Sequence, residues 1–178
     1  MSIKKTLILF TASFPYDVAV ESTFLEREIG YLSSNFDRLI IVPGRICGKR
    51  DIVPPSVEVE ESFARCGSNL ARNIKTLLLA ISSKLFYEEL LQRQAILFNI
   101  RALERLIIFT GLAEYTKKWV CDLIQRKKLG ECIFYTYWLD QFSMGIGLAK
   151  KKYPHIKLVS RVHGGDLYEE RHALSYLP

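Results

Sequence analysis

The residues best placed to do chemistry lie together near the end of the sequence. An apolar run closes there on His163, Gly164, Gly165 and Asp166, a pattern typical of a β-strand that opens into a tight turn. A histidine ionises near neutral pH, so His163 is a candidate for proton transfer or for a hydrogen bond to a sugar or phosphate oxygen. The glycines let a ligand approach the backbone closely. Ligands of open α/β sheets bind beyond the carboxyl ends of the strands, and we therefore predict a site here.

Two other predicted strands end in residues of similar promise. If the sheet is parallel, these strand ends share one edge with His163, and Glu21 at the entry to the first helix could face the same crevice. The candidate substrate-binding residues are Ser13, Phe14, Tyr16, Glu21, Tyr137, Trp138, Gly164, Gly165 and Asp166, with His163 as the candidate catalytic residue.

Structural roles compete with these functional ones. His163 could cap the strand end with a backbone hydrogen bond, and Asp166 could cap a short helix that begins at Leu167. Glu21 could equally be solvated, and Trp138 could pack in the core.

Short apolar runs alternate with helical patterns along the chain. Strands are predicted at 4–12, 37–42, 57–61, 131–138 and 156–162, and a capping box at Thr23 and Glu26 predicts the start of the first helix. Residues 68–128 have a helical pattern throughout, with breaks near 82–83 and at Gly111. Gly145 and Gly147 predict close packing of the helix that contains them. The sequence thus predicts a single α/β domain, a Rossmann-like doubly wound parallel sheet with an extended helical middle segment.

The positive charge of the chain is concentrated in residues 62–130. This segment carries twelve Lys/Arg and five Asp/Glu, and it is also rich in Leu, Ile and Phe. A basic, apolar segment fits a phospholipid surface, an anionic substrate or nucleic acid, or simply a solvated helical face. A nucleic-acid-reading module is not recognisable in it.

Several classes of function are disfavoured by what the sequence lacks. No GxGxxG follows the first strand, and there is no GxxxxGK[ST] or GxSxG. The four cysteines have no metal-ligand spacing and are expected to be reduced thiols of a cytoplasmic protein, so we expect no metal. No apolar run is long enough to span a bilayer, and the N-terminus does not have the pattern of a secretion signal.

Residues of the first loop, the first helix, the second strand and the block around His163 together resemble the amino-terminal half of family 4 glycosyltransferases, enzymes of the GT-B fold. The resemblance rests on residues 14–16, on Glu21, Phe24 and Glu28, on the strand from Phe36 to Pro43, and above all on the block 161–171. It covers nearly the whole chain. The expected glycines are missing from the first loop, which runs from Asp17 to Glu21 without one.

The resemblance implies that residues 1–178 form one Rossmann-like domain that binds the acceptor, while the nucleotide-sugar is bound by a carboxy-terminal domain absent from this sequence. It implies that His163 faces the cleft between the domains, that the loop 13–21 borders the donor phosphates, and that transfer retains configuration. The expected partners are a nucleotide-sugar, used as substrate rather than cofactor, a glycan or lipid-linked acceptor, and the anionic inner face of the plasma membrane. No nucleic-acid partner is expected.

Two interpretations follow. In the first, the chain is the acceptor half of a glycosyltransferase of cell-surface polysaccharide or glycolipid synthesis, inactive without a donor domain. In the second, it is a non-catalytic acceptor- or membrane-binding subunit that requires a separate donor-binding partner.

Overall fold

A computed structural model describes residues 5–16, 19–65 and 69–164. In it the chain forms a Rossmann-like α/β fold in which helices cover a five-stranded, all-parallel sheet. In chain order the elements are β1 (Thr6–Thr11), α1 (Ala19–Asn35), β2 (Arg38–Pro43), β3 (Val57–Val59), α2 (Asn69–Ile81), α3 (Lys84–Gln92), a 3-10 helix (Gln94–Phe98), α4 (Ile100–Arg126), β4 (Cys132–Thr136), α5 (Gln141–Lys150) and β5 (Lys157–Ser160).

The strand order is β3-β2-β1-β4-β5, so the chain leaves β1 in one direction and returns to its other side through α2, α3 and α4. The central strands β1 and β2 are buried on both faces, which explains their nearly continuous apolar sequences. Alternate residues of β1 belong to different cores. Ile8 and Phe10 pack with α4 and α5, while Leu7 and Leu9 pack with Leu25 and other residues of α1.

Two local predictions are corrected by the structure. Helix α1 begins at Ala19, so Thr23 lies inside it and does not form a capping box with Glu26. Gly111 does not break a helix, because α4 continues through it and packs closely on α2 there; a Cβ at Gly111 would lie 2.2 Å from the Thr76 carbonyl oxygen. The second interruption falls instead at the 3-10 helix and Asn99, whose side chain accepts hydrogen bonds from the first amides of α4. The break after Ile81 is confirmed.

None of the helices within the described ranges is both long and apolar enough to cross a membrane. The middle segment nevertheless exposes many large apolar side chains. They are Ile74, Leu77, Leu78, Ile81, Tyr87, Leu91, Leu97, Phe98, Ile100 and Ile108. We call this set the apolar helical surface.

The two glycines of α5 differ in their surroundings, although the sequence predicted close packing at both. A Cβ at Gly145 would lie 2.5 Å from both the Ala113 carbonyl oxygen and the Thr116 Cβ, whereas a Cβ at Gly147 would meet nothing within 4 Å. Of the two glycines, therefore, only Gly145 lies where α5 packs against α4.

This difference gives a matched pair of substitutions. Gly145→Ala should lower the free energy of unfolding by about 1–3 kcal/mol, since the helix must move away from its neighbour. Gly147→Ala should raise it by up to about 1 kcal/mol, because alanine favours a helix over glycine. Urea denaturation of both variants measures the contrast, and equal effects of the two substitutions would contradict this packing.

Candidate functional site

The candidate site lies at the carboxyl edge of the sheet, where β1 and β4 are neighbours. The connections from these two strands run to opposite sides, which makes this the switch point at which α/β sheets bind ligands. Residues 12–16 follow β1, residues 137–140 follow β4, and residues 161–164 follow β5. The predicted convergence of these three segments at one edge is confirmed by the parallel pairing of their strands.

A buried carboxylate organises this edge. Glu21, in the first turn of α1, is 1% exposed. Its Oε1 accepts hydrogen bonds from the Ala12 amide at 2.8 Å and from the Trp138 indole Nε1 at 2.6 Å. Its Oε2 accepts from the amides of Ser13 at 2.9 Å and Phe14 at 3.1 Å. Such donors offset the cost of burying a carboxylate, so Glu21 holds the loop after β1 and the loop after β4 together.

Trp138 and His163 form an aromatic pair beside this carboxylate. Their ring centroids are 4.4 Å apart and the planes are tilted by 40°. The Tyr137 carbonyl lies 3.0 Å from His163 Nε2. Because a carbonyl oxygen can only accept, Nε2 carries a proton and donates it to this hydrogen bond. The Ser143 hydroxyl donates to the Trp138 carbonyl at 3.0 Å, which ties the backbone of Trp138 to the first turn of α5.

The loop after β1 is also tied on its outer side. The Tyr16 hydroxyl donates to the Glu61 carboxylate, Tyr16 forms an antiparallel bridge with Arg50, and the Asp51 amide donates to the Pro15 carbonyl at 2.7 Å. Burial and the neighbouring Glu61 raise the pKa of Tyr16 to about 12. The hydrogen bond from Tyr16 in turn lowers the pKa of Glu61. The loop is thus held from both sides.

An ion pair joins α1 to the end of β5. Arg161 Nη1 lies 3.0 Å from Glu28 Oε2, and the Tyr135 hydroxyl donates to Glu28 Oε1 at 3.1 Å. The Arg161 guanidinium also lies over the Tyr137 ring, 4.9 Å from its centroid. These contacts set the direction in which the chain enters His163, two residues further on.

The structure places the predicted residues in two groups. Trp138, His163 and Gly164 are partly exposed and can contact a ligand. The side chains of the second group are buried and frame the site from behind: Ser13, Phe14, Tyr16, Glu21 and Tyr137. Gly165 and Asp166 lie outside the described residues.

The buried position of Glu21 excludes the solvated alternative for that residue. The hydrogen bond between His163 and a backbone carbonyl is the contact expected if His163 caps the strand end, which was the structural alternative for this residue. Glu21 is accordingly a positioning residue, while His163 and Trp138 present the surface that a ligand would meet.

Sequence reasoning missed a second feature, a cleft of about 570 Å³ between α2 and α4. It depends on how two helices of the middle segment pack, and the signal for it was the excess of Leu and Ile in that basic segment. Within residues 5–16, 19–65 and 69–164, no group of three or more His, Cys, Asp and Glu side chains is arranged to hold a metal ion.

Comparison with known proteins found no matching family model, no matching characterised protein and no matching solved structure.

The role of Glu21 as a positioning residue can be tested by Glu21→Gln. The amide NH₂ replaces one acceptor oxygen and leaves two buried donors without a partner, at a cost of about 1–3 kcal/mol each. We expect the free energy of unfolding to fall by about 2–4 kcal/mol, measured by urea denaturation with an unchanged m-value.

Glu26→Gln is the matched control, because Glu26 is an exposed carboxylate on the same helix. It should change the free energy of unfolding by less than about 0.5 kcal/mol. If the two variants unfolded at the same urea concentration, the carboxylate at position 21 would have no organising role.

Proposed function

We propose that the chain is the acceptor-binding half of a nucleotide-sugar-dependent glycosyltransferase that builds a cell-surface polysaccharide or glycolipid. One observation carries the proposal. The two sequence blocks that resemble family 4 glycosyltransferases, the loop around Phe14 and the block that contains His163, adjoin the same residues, Glu21 and Trp138, at the switch point of the sheet. This is the place where an α/β sheet of this order takes its ligand.

The pair of His163 and Trp138 has the chemistry that such a site needs. Trp138 offers a partly exposed aromatic ring held by Glu21, and His163 offers an imidazole held by a backbone carbonyl. His163 would exchange a proton with the transferred sugar or contact one of its oxygens through the imidazole. The nucleotide-sugar would be held chiefly by a separate donor-binding domain.

The apolar helical surface supports a membrane-associated acceptor. It lies in the basic segment 62–130, where exposed cations such as Lys84, Arg101 and Lys118 accompany the exposed apolar side chains. Each Lys or Arg near an anionic bilayer contributes about 1 kcal/mol to binding. We therefore place the protein at the inner face of the plasma membrane as part of the proposal.

The alternative is a non-catalytic acceptor- or membrane-binding subunit with a separate donor-binding partner. This alternative is favoured by exposed apolar side chains at the β5 edge of the sheet. Val159 on β5 is 52% exposed and Val162 is 42% exposed, so this edge offers a surface to another domain or chain. Co-purification of a donor-binding protein from the native host would support this alternative.

A transfer assay tests the proposed function. The complete product of the reading frame that encodes residues 1–178 is incubated with native membranes and radiolabelled nucleotide-sugars. We expect label to enter the lipid or polysaccharide fraction. We also expect His163→Ala to lower the turnover by roughly 10²–10⁴-fold, if the imidazole does acid–base or electrostatic work.

His155→Ala is the control, since His155 is an exposed histidine packed on Tyr153 and lies away from the switch point. It should retain the wild-type turnover. Failure to transfer sugar from any of the nucleotide-sugars would contradict the proposed function. Unchanged turnover in a folded His163→Ala variant would reduce His163 to a structural residue.

A further inference from the structure

The cleft between α2 and α4 is built as an apolar container. Helix α4 supplies aliphatic side chains along one wall, α2 supplies Thr76 and Leu77, and two phenylalanines from the carboxyl edge of the sheet also line the cleft. The aliphatic residues of α4 include Leu103, Ile107, Ile108 and Leu112, and the phenylalanines are Phe63 and Phe142. A volume of about 570 Å³ is in the range of small-molecule pockets. Most of the lining is apolar, which suits a ligand that is largely hydrocarbon.

Charged groups stand among this apolar lining. Two cations, Arg45 and Lys75, and one carboxylate, Glu104, line the cleft. The Lys75 ammonium lies over the ring of Tyr115, 4.8 Å from the centroid, so a cation is held against the cleft wall. The excess of positive charge favours a ligand that carries an anionic group beside its hydrocarbon part.

The cleft is continuous with the apolar helical surface. Leu77, Ile100 and Ile108 belong to both, and they are 44%, 77% and 47% exposed. These three exposed side chains are the place where a hydrocarbon chain could enter the cleft from a bilayer in contact with this surface.

The cleft also adjoins the loop that Glu21 holds. The Gly44 amide donates to the Thr11 carbonyl at 2.9 Å, and the Arg45 amide donates to the Ala12 carbonyl at 3.0 Å. Gly44 and Arg45 line the cleft. One backbone segment thus separates the cleft from the loop whose Ala12 amide binds Glu21.

From this arrangement we infer that the α2–α4 cleft binds the hydrocarbon chain of a membrane amphiphile with a phosphate headgroup, held by Arg45 and Lys75. The inference rests on the proposed function, for which it defines the acceptor as lipid-linked. The hydrocarbon chain of the ligand occupies the cleft, and its phosphate headgroup is directed towards the loop after β1.

Calorimetric titration of the chain with hexyl, octyl and decyl phosphate, each below its micelle concentration, tests the inference. Burial of each added methylene contributes about 0.8 kcal/mol, so Kd should fall about fourfold per methylene. Decyl phosphate should bind more tightly than the uncharged decyl glucoside, and inorganic phosphate should not bind measurably. An affinity independent of chain length, or equal for the charged and uncharged decyl compounds, would overturn the inference.

A matched pair of variants locates the binding. Ile108→Asp puts a carboxylate at the cleft and should raise Kd for decyl phosphate at least tenfold, while Ile52→Asp, at an exposed residue outside both the cleft and the apolar helical surface, should leave it unchanged. Equal Kd values for wild type and Ile108→Asp would overturn the inference, as would equal losses in both variants. The chain-length series on the wild type decides the matter if a variant fails to fold.

The outcomes of this experiment and of the transfer assay distinguish the two proposals. Alkyl-phosphate binding in the cleft without sugar transfer would support the proposed ligand class and contradict the proposed transferase function. Sugar transfer without alkyl-phosphate binding would keep the transferase and remove the lipid-linked acceptor.

Discussion

The arrangement of the carboxyl edge depends on one buried carboxylate. Glu21 lies in α1, yet its hydrogen bonds reach the three successive amides of residues 12–14 and the indole of Trp138 on the other side of the switch point. A carboxylate 1% exposed is costly to bury unless its oxygens are filled with donors. Here the donors come from two loops. The hydrogen bonds that stabilise the buried charge are therefore the same ones that hold the two loops together at the carboxyl edge of the sheet.

The consequences extend outward from that carboxylate. It orients Trp138, against which His163 packs, and it fixes the loop whose carbonyl groups bind the backbone at Gly44 and Arg45 beside the α2–α4 cleft. A polar site and an apolar cleft are therefore attached to one rigid segment. That arrangement suits a ligand with a polar reacting end and a hydrocarbon end, which connects the proposed glycosyl transfer with the proposed lipid chain.

Sequence patterns predicted the architecture because buried parallel strands and amphipathic helices carry strong local signals. The five strands, their common edge and the break after Ile81 could all be inferred. The role of Glu21 could not, since its partners lie up to 117 positions away and nothing local distinguishes it from a solvated glutamate. Gly111 was misjudged for a similar reason: its contact with Thr76 joins two helices and leaves no trace in the helical period. The cleft likewise arises from packing between helices.

Native-state hydrogen exchange, followed by NMR at single amides, tests the organising role of Glu21 most directly. The amides of Ala12, Ser13 and Phe14 lie in a loop, where exchange is ordinarily fast. We expect them to exchange as slowly as the ladder amides of β1, because they open only when the buried carboxylate is released. Exchange orders of magnitude faster than in β1 would show that the loop opens on its own, and would contradict an edge held together by Glu21.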